Sequence, residues 1–220
     1  MKLTSEWGDY DSEFVRRRYN RLASFFVFFE WLFLLPPGIR KKAVRRLELK
    51  ASNRVLEIGC GTGRNLALLR EAVGPEGQVI GVDISEGMLM RAEQLCVRKN
   101  WHNVTLIRSD AAHYTSSEPV DAVLFSLSYA TMPHHREVLG HAWEQLRPGG
   151  ILAIMDAKLP SGMLGKLSRP FRPLLVWILK RTVLGNPHIV IPQELRELAG
   201  EIEVEEISFG TYFICRARKL

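Results

Sequence analysis

Cysteine is scarce in this 220-residue chain, and the three present, Cys60, Cys96 and Cys215, stand far apart. No CxxC pair and no cysteine–histidine cluster occurs, which argues against a disulfide framework and against a zinc site. A reducing compartment, the cytoplasm, is the expectation. The first ten residues also lack a basic stretch followed by an apolar core and a small-residue cleavage site, so no export signal is expected. No apolar run is long enough to span a bilayer. The longest, Leu22 to Leu35, is interrupted by Ser24 and Glu30 and stops at Pro36-Pro37. As a helix its fourteen residues would rise about 21 Å, short of the ~30 Å of bilayer hydrocarbon. Acidic residues are absent altogether between Lys158 and Thr182.

What is present is ordinary for a folded protein: 46% apolar and 25% charged residues, which exclude disorder as the default. The length favours one domain with an appendage over two independent domains. The net charge of +6 is unevenly placed. Residues 1–50 carry eleven cations against six acids, and Lys158 to Thr182 carries six cations, so two basic segments ride on a mildly acidic body. Both segments also hold the long apolar and aromatic runs.

From residue 52 onward, short branched runs alternate with helical ones. The stretches 54–58, 78–83, 104–110, 120–126 and 149–157 read as strands. Between them, residues 64–73, 86–99 and 136–146 carry apolar side chains at helical spacing, with Ser85 placed to cap the second. Strands of near-continuous apolar character, each followed by a helix, predict a doubly wound α/β domain with a mostly parallel sheet covered on both faces. The tail departs from this: residues 201–210 and 211–219 read as an antiparallel pair turning near Gly210.

The first predicted strand runs into Gly59-Cys60-Gly61-Thr62-Gly63. In an open parallel sheet, ligands bind beyond the carboxyl ends of the strands, and glycines there allow a tight turn and a ligand against bare backbone. Asp83, at the end of the second strand and some 20 residues on, suits both hydroxyls of a ribose. The spacing is GxGxG, with Arg64 where a dinucleotide fingerprint has its third glycine. Glu57 just before the loop would repel a pyrophosphate but suits a ligand with an amino group and a sulfonium. That favours S-adenosylmethionine over a nicotinamide dinucleotide.

The ordered stretches "VLEIGCGTG", "VIGVDIS", "RSDAAHY", "VDAVLFS" and "LRPGGILAI" resemble the motif set of class I S-adenosylmethionine-dependent methyltransferases over residues 52–157. The resemblance implies a seven-stranded sheet with its last strand antiparallel. It also implies that Glu57, Gly59, Gly61 and Gly63 surround the amino-acid end of the cofactor and that Asp83 holds its ribose. Ile84 and Met88 would pack on the adenine, Asp110 and Ala111 would lie near its exocyclic amine, and Ser126 would border the methyl group. A domain at 51–220, with a substrate-covering insertion at 158–192 and an N-terminal helical cap at 1–50, is the expected organisation.

Methyl transfer asks for alignment and an electron-rich acceptor more than for an acid or base. Candidates beside the acceptor are Tyr129, His134 and Tyr19, with His135, Lys158, His188 and Tyr212 behind them. The basic, apolar segments at 13–35 and 158–182 have two readings, contact with an anionic membrane or a cap on the sheet domain. Nucleic acid is disfavoured, because the cations flank long apolar runs. "RYNRLASFFVFFEW" resembles the opening segment of bacterial phospholipid N-methyltransferases and their quinone-methylating relatives, in which the first tyrosine, here Tyr19, reaches the cofactor. Phe26 stands where those proteins have a second tyrosine, and Asn20 where they have aspartate. "SLSYATMP" resembles the phospholipid group after the fourth strand. The leading expectation is methylation of a phospholipid headgroup amine at the membrane surface. Methylation of a quinone ring or another small hydrophobic molecule is the alternative, and a non-catalytic S-adenosylmethionine binder the third reading.

Overall fold

The structure is a computed structural model that describes residues 11–22, 35–158, 186 and 189–220. The apolar runs at 23–34 and 159–185, and His188, lie outside the described residues.

A central strand forms where Val55, Leu56, Glu57 and Ile58 are all buried, since a strand covered on both faces has no solvent side to place polar residues on. This strand, β1 (Arg54–Ile58), lies in a seven-stranded sheet with β2 (Gln78–Asp83), β3 (Val104–Arg108), β4 (Val120–Ser126), β5 (Leu146–Ala157), β6 (Glu203–Ile207) and β7 (Tyr212–Arg218). The order is β3-β2-β1-β4-β5-β7-β6. Strands β1 to β5 pair in parallel, and β7 pairs antiparallel with both β5 and β6. The order reverses between β1 and β4, so a crevice opens at their carboxyl ends.

The helices cover both faces. On one, α2 (Ile39–Arg45), α3 (Leu66–Val73) and α4 (Glu86–Arg98) bury Ile39, Val44, Leu66, Leu69 and Ala92 against Val55, Leu124 and Met155. On the other, α5 (His135–Glu144) and α6 (Ile191–Ala199) bury Val138, Leu139 and Leu195 against Leu56, Phe125 and Ile154. The N-terminal α1 (Ser12–Leu22) lies on α4, where Asn20 Oδ1 accepts from Ser85 Oγ at 2.7 Å and from the Gly87 amide at 3.0 Å. Ser85 caps α4 as expected, its Oγ accepting from the Met88 amide. Among the described residues no helix is long and apolar enough to cross a membrane.

The boundaries differ from the sequence reading at several places, three of them with a local cause. β3 stops at Arg108, because the Asp110 carboxylate accepts from the Ala112 amide and turns the chain. β5 begins earlier, at Leu146, since the pairing shifts register between Val120 and Ala122 and the irregularity accommodates Pro148. α5 ends at Glu144, as Leu146 already belongs to the strand.

Candidate functional site

The crevice is built first from the loop after β1. Gly59, Gly61 and Gly63 take φ of 72°, 55° and 82°, a left-handed backbone that side chains disfavour. A Cβ on Gly59 would stand 2.5 Å from Ser128 Cβ, and one on Gly63 would stand 2.7 Å from Leu66 Cδ1. A Cβ on Gly61 would meet nothing within 4 Å among the described residues. The loop is pinned to β2: the Gly59 and Cys60 amides donate to the Val82 carbonyl, and the Gly61 amide donates to Asp83 Oδ2 at 2.8 Å. Asp83 Oδ1 accepts from the Ser85 amide. Burial pushes the Asp83 carboxyl up, and the amides of Ser85, Gly61 and Ile84 oppose that rise.

Glu57 is 1% exposed at the floor of the crevice. Its Oε1 accepts from Asn65 Nδ2, while its Oε2 is buried without a hydrogen-bond partner among the described residues. Burial raises its pKa to about 7 against the opposing hydrogen bond from Asn65 and charge of Arg40; Asp83 adds to the rise. Arg40 reaches in from α2, donating from Nη1 to Asn65 Oδ1 at 3.2 Å and to Ser126 Oγ at 3.1 Å. Thr62 Oγ1 is a second buried oxygen of the crevice without a partner among the described residues. Such orphaned groups are costly unless something completes them.

Of the residues expected from the sequence, Glu57, Gly59, Gly61, Asp83 and Ser126 line one crevice. Tyr19, Ile84, Met88, Asp110 and Ala111 line it as well. Gly63 does not; it lets the loop close onto α3. Over the far end, Ser12 and Val15 of α1 also line the crevice, and the Ser12 hydroxyl donates to Asp110 Oδ2.

The family profile described as "Methyltransferase domain" matches residues 55–150, the segment that supplies most of the lining of this crevice. The chain carries a class I S-adenosylmethionine-dependent methyltransferase domain. It is 32% identical over 145 residues to a demethylmenaquinone methyltransferase of Geobacillus stearothermophilus and 30% identical over 145 to one of Listeria monocytogenes. Each alignment takes in 66% of this chain and 58% of the relative, so the chain spans little more than half of those proteins' length. The fold also matches phosphoethanolamine N-methyltransferase 2 of Haemonchus contortus, solved with phosphomonomethylethanolamine and S-adenosylhomocysteine. There the TM-score is 0.70 at 22% identity, covering 90% of this chain and 46% of that one.

The acceptor-side candidates fare differently. Tyr19 lines the crevice, with its hydroxyl hydrogen-bonded to Thr131; burial pushes its pKa up, and that hydrogen bond opposes the rise. Tyr129 is 0% exposed, and its hydroxyl donates to Glu194 Oε2 at 2.7 Å, so it holds α6 and is no part of the crevice wall. His134 takes a left-handed φ of 51° immediately before α5 and does not line the crevice either. Both therefore leave the acceptor-side set. His135 Nε2 lies 3.2 Å from Glu194 Oε1, Lys158 pairs with Glu206, and Tyr212 is buried beside β5.

Four polar residues were not legible in the sequence as site or support. In the sequence Arg40 reads only as one of the eleven cations of residues 1–50; it points into the crevice, and its neighbours Lys42 and Arg46 pair with Glu205 and Glu203 of β6. Asn65 follows the glycine loop, and only its contacts with Glu57 and Arg40 mark it. Asp156, 5% exposed, accepts from the Ala130 and Ala157 amides, and burial raises it to about 6. Burial works upward on Glu194, yet the hydrogen bonds of His135 and Tyr129 hold it below the usual carboxylate range.

Proposed function

We propose that the chain transfers methyl groups from S-adenosylmethionine to a hydrophobic acceptor, and that the acceptor is the ring of a reduced quinone. The residues present fit the cofactor: Glu57 Oε2 is a buried acceptor without a donor among the described residues, which an ammonium would supply, and Asp83 offers a carboxylate for a ribose diol. Ile84 and Met88 offer an apolar slot for the adenine, with Asp110 and Ala111 at its edge. When bound, the cofactor supplies a methyl group on a cationic sulfur, which an electron-rich carbon displaces. The chain's part is alignment and exclusion of water, the terms that dominate such a displacement. Tyr19, Ser126, Ser128 and Thr131 line the crevice and are available to orient the acceptor.

The observation that carries the quinone reading is the 30–32% identity over 145 residues to demethylmenaquinone methyltransferases. A second acceptor, the headgroup amine of a phospholipid, is favoured by the resemblance of "RYNRLASFFVFFEW" and "SLSYATMP" to phospholipid N-methyltransferases and by the position of Tyr19 in the crevice wall. For either acceptor, the basic apolar segments at 13–35 and 158–182 are proposed as the contact with an anionic membrane surface, peripheral and cytoplasmic.

Purified protein with methyl-labelled S-adenosylmethionine and vesicles holding both a reduced demethylated polyprenyl naphthoquinone and phosphatidylethanolamine tests the proposal. Label in the quinone fraction is expected. Label in the phospholipid alone would replace the first acceptor by the second, and no label in either would remove both.

A further inference from the structure

The turn of the edge hairpin is built against the preferences of its residues. Ser208, Phe209 and Gly210 take φ of 52°, 57° and 77° in succession, a left-handed backbone that suits only the glycine. Phe209 is also 87% exposed. A bulky aromatic thus combines a disfavoured backbone with a side chain left in water, and packing within the fold offsets little of either. The turn closes on itself: the Thr211 amide and the Thr211 hydroxyl both donate to the Ser208 carbonyl, at 3.2 and 2.7 Å. A backbone tied off in this way, with an aromatic ring outermost, is fit to enter an apolar medium, where unmet polar groups are costly.

The place of the turn in the fold points to that medium. β7 runs antiparallel to β5 with Tyr212 opposite Ala157, and the Lys158 amide donates to the Thr211 carbonyl. The tip therefore stands at the carboxyl end of the parallel strands, the end where the crevice opens. The described ends of both apolar runs are brought to the same end. The first run follows α1, whose Tyr19 lines the crevice, and rejoins the described chain at Leu35, five residues before Arg40 reaches Ser126, the last residue of β4. The second leaves at Lys158 and rejoins at Asn186, whose amide donates to the Ala130 carbonyl, next to the crevice residue Thr131. Its residues 159–185 hold five cations and no acid. Apolar side chains set among cations suit an interface of anionic lipids.

Resting on the membrane reading above, we propose that the turn between β6 and β7 is a further point of contact with an anionic lipid surface, that Phe209 inserts there, and that the carboxyl end of the sheet faces the bilayer. In that orientation the crevice opens toward the lipid phase, from which a hydrophobic acceptor comes.

Partition onto vesicles of phosphatidylglycerol and phosphatidylcholine tests the assignment. Phe209→Asn is the informative variant, since asparagine accepts a left-handed φ, and its melting temperature is expected to equal or exceed that of wild type. Its vesicle affinity should fall about 10- to 100-fold, the scale of withdrawing one phenyl ring from an apolar phase. That factor should persist at high salt, where the contribution of the cations is screened. Phe209→Trp should keep the affinity. So should Val204→Asn, which removes an exposed apolar side chain of the same hairpin that pairs with Cys215, away from the tip. A polarity-sensitive fluorophore on Phe209→Cys reads contact directly, since Cys60, Cys96 and Cys215 are buried, and its emission should shift to the blue on adding vesicles. Undiminished affinity in a stable Phe209→Asn, or a probe that stays in water while the protein binds, would overturn the assignment and leave the membrane reading standing. A blue shift that grows with protein concentration without vesicles would give the turn to a second copy of the chain and overturn it too. Wild-type protein that binds no vesicles would remove the membrane reading itself, and this assignment with it.

Discussion

The Gly61 amide donates to Asp83 Oδ2 at 2.8 Å, so the turn after the first strand and the carboxylate ending the second are mechanically one unit. Both Asp83 oxygens accept backbone N–H groups, since Ser85 donates to Oδ1 at 2.8 Å. Asp83→Asn would set an amide donor against one of those donors. It is expected to lower affinity for S-adenosylhomocysteine at least about 100-fold, as two hydrogen bonds to a charged acceptor are lost or misdirected. Titration calorimetry checks this, and affinity within a few-fold of wild type would remove Asp83 from the site.

The three loop glycines should not respond alike. Gly59→Ala combines a φ of 72° with a Cβ 2.5 Å from Ser128 Cβ, and is expected to cost about 2–4 kcal/mol of stability. Gly61→Ala meets no atom within 4 Å and should cost only the backbone term of about 1–2 kcal/mol. Chemical denaturation of the two variants should separate them; equal losses would contradict the packing of Gly59 on Ser128.

Glu57 predicts a dependence on pH. Its pKa is raised to about 7 in the folded protein, chiefly by burial, with Asn65, Arg40 and Asp83 facing it. A carboxyl raised on folding contributes stability that is complete below its unfolded value and is lost as pH rises through the folded value. Asp156, raised to about 6, acts in the same direction. The melting temperature of the ligand-free protein should therefore fall between pH 5 and 8 by these two contributions. Glu57→Gln should flatten part of that fall and abolish S-adenosylmethionine binding. An ammonium pairs with the ionised form, so the gain in melting temperature from the cofactor should be larger at pH 8 than at pH 6.

Tyr129 and Glu194 form a buried hydrogen bond that ties α6 to the stretch after β4. Tyr129→Phe leaves Glu194 with His135 and Arg136, and should cost about 1–3 kcal/mol of stability. The turnover number should stay within a few-fold of wild type, because the hydroxyl is outside the crevice. A hundredfold loss of turnover in a well-folded variant would return Tyr129 to the reacting groups.

Legibility in the sequence followed the range of the interactions. The strands β1, β2 and β4 match their predicted ranges residue for residue, since continuous runs such as Val55-Leu56-Glu57-Ile58 have one stable placement, the inside of a parallel sheet. The Ser85 cap and the hairpin near Gly210 were equally local. Ten of the expected site residues line the crevice because they sit at strand ends, loops or the helix that covers it, where spacing along the chain sets position in space. Tyr129 failed for a local reason as well. It is one residue past Ser128, which lines the crevice, and the turn at Tyr129–Thr131 aims its ring to the opposite side.

The sequence by itself determined the α/β alternation, the glycine turn beneath a carboxylate, and a second carboxylate, Asp83, at the end of the next strand, because each depends on residues close together along the chain. Only the tertiary structure decided that Arg40 faces inward while Lys42 and Arg46 hold the edge hairpin. A cation in a basic run reads as solvated until its partners arrive from distant elements, here Asn65, Ser126, Glu203 and Glu205. Charge composition along a chain records how many cations there are; which of them desolvate is settled by packing.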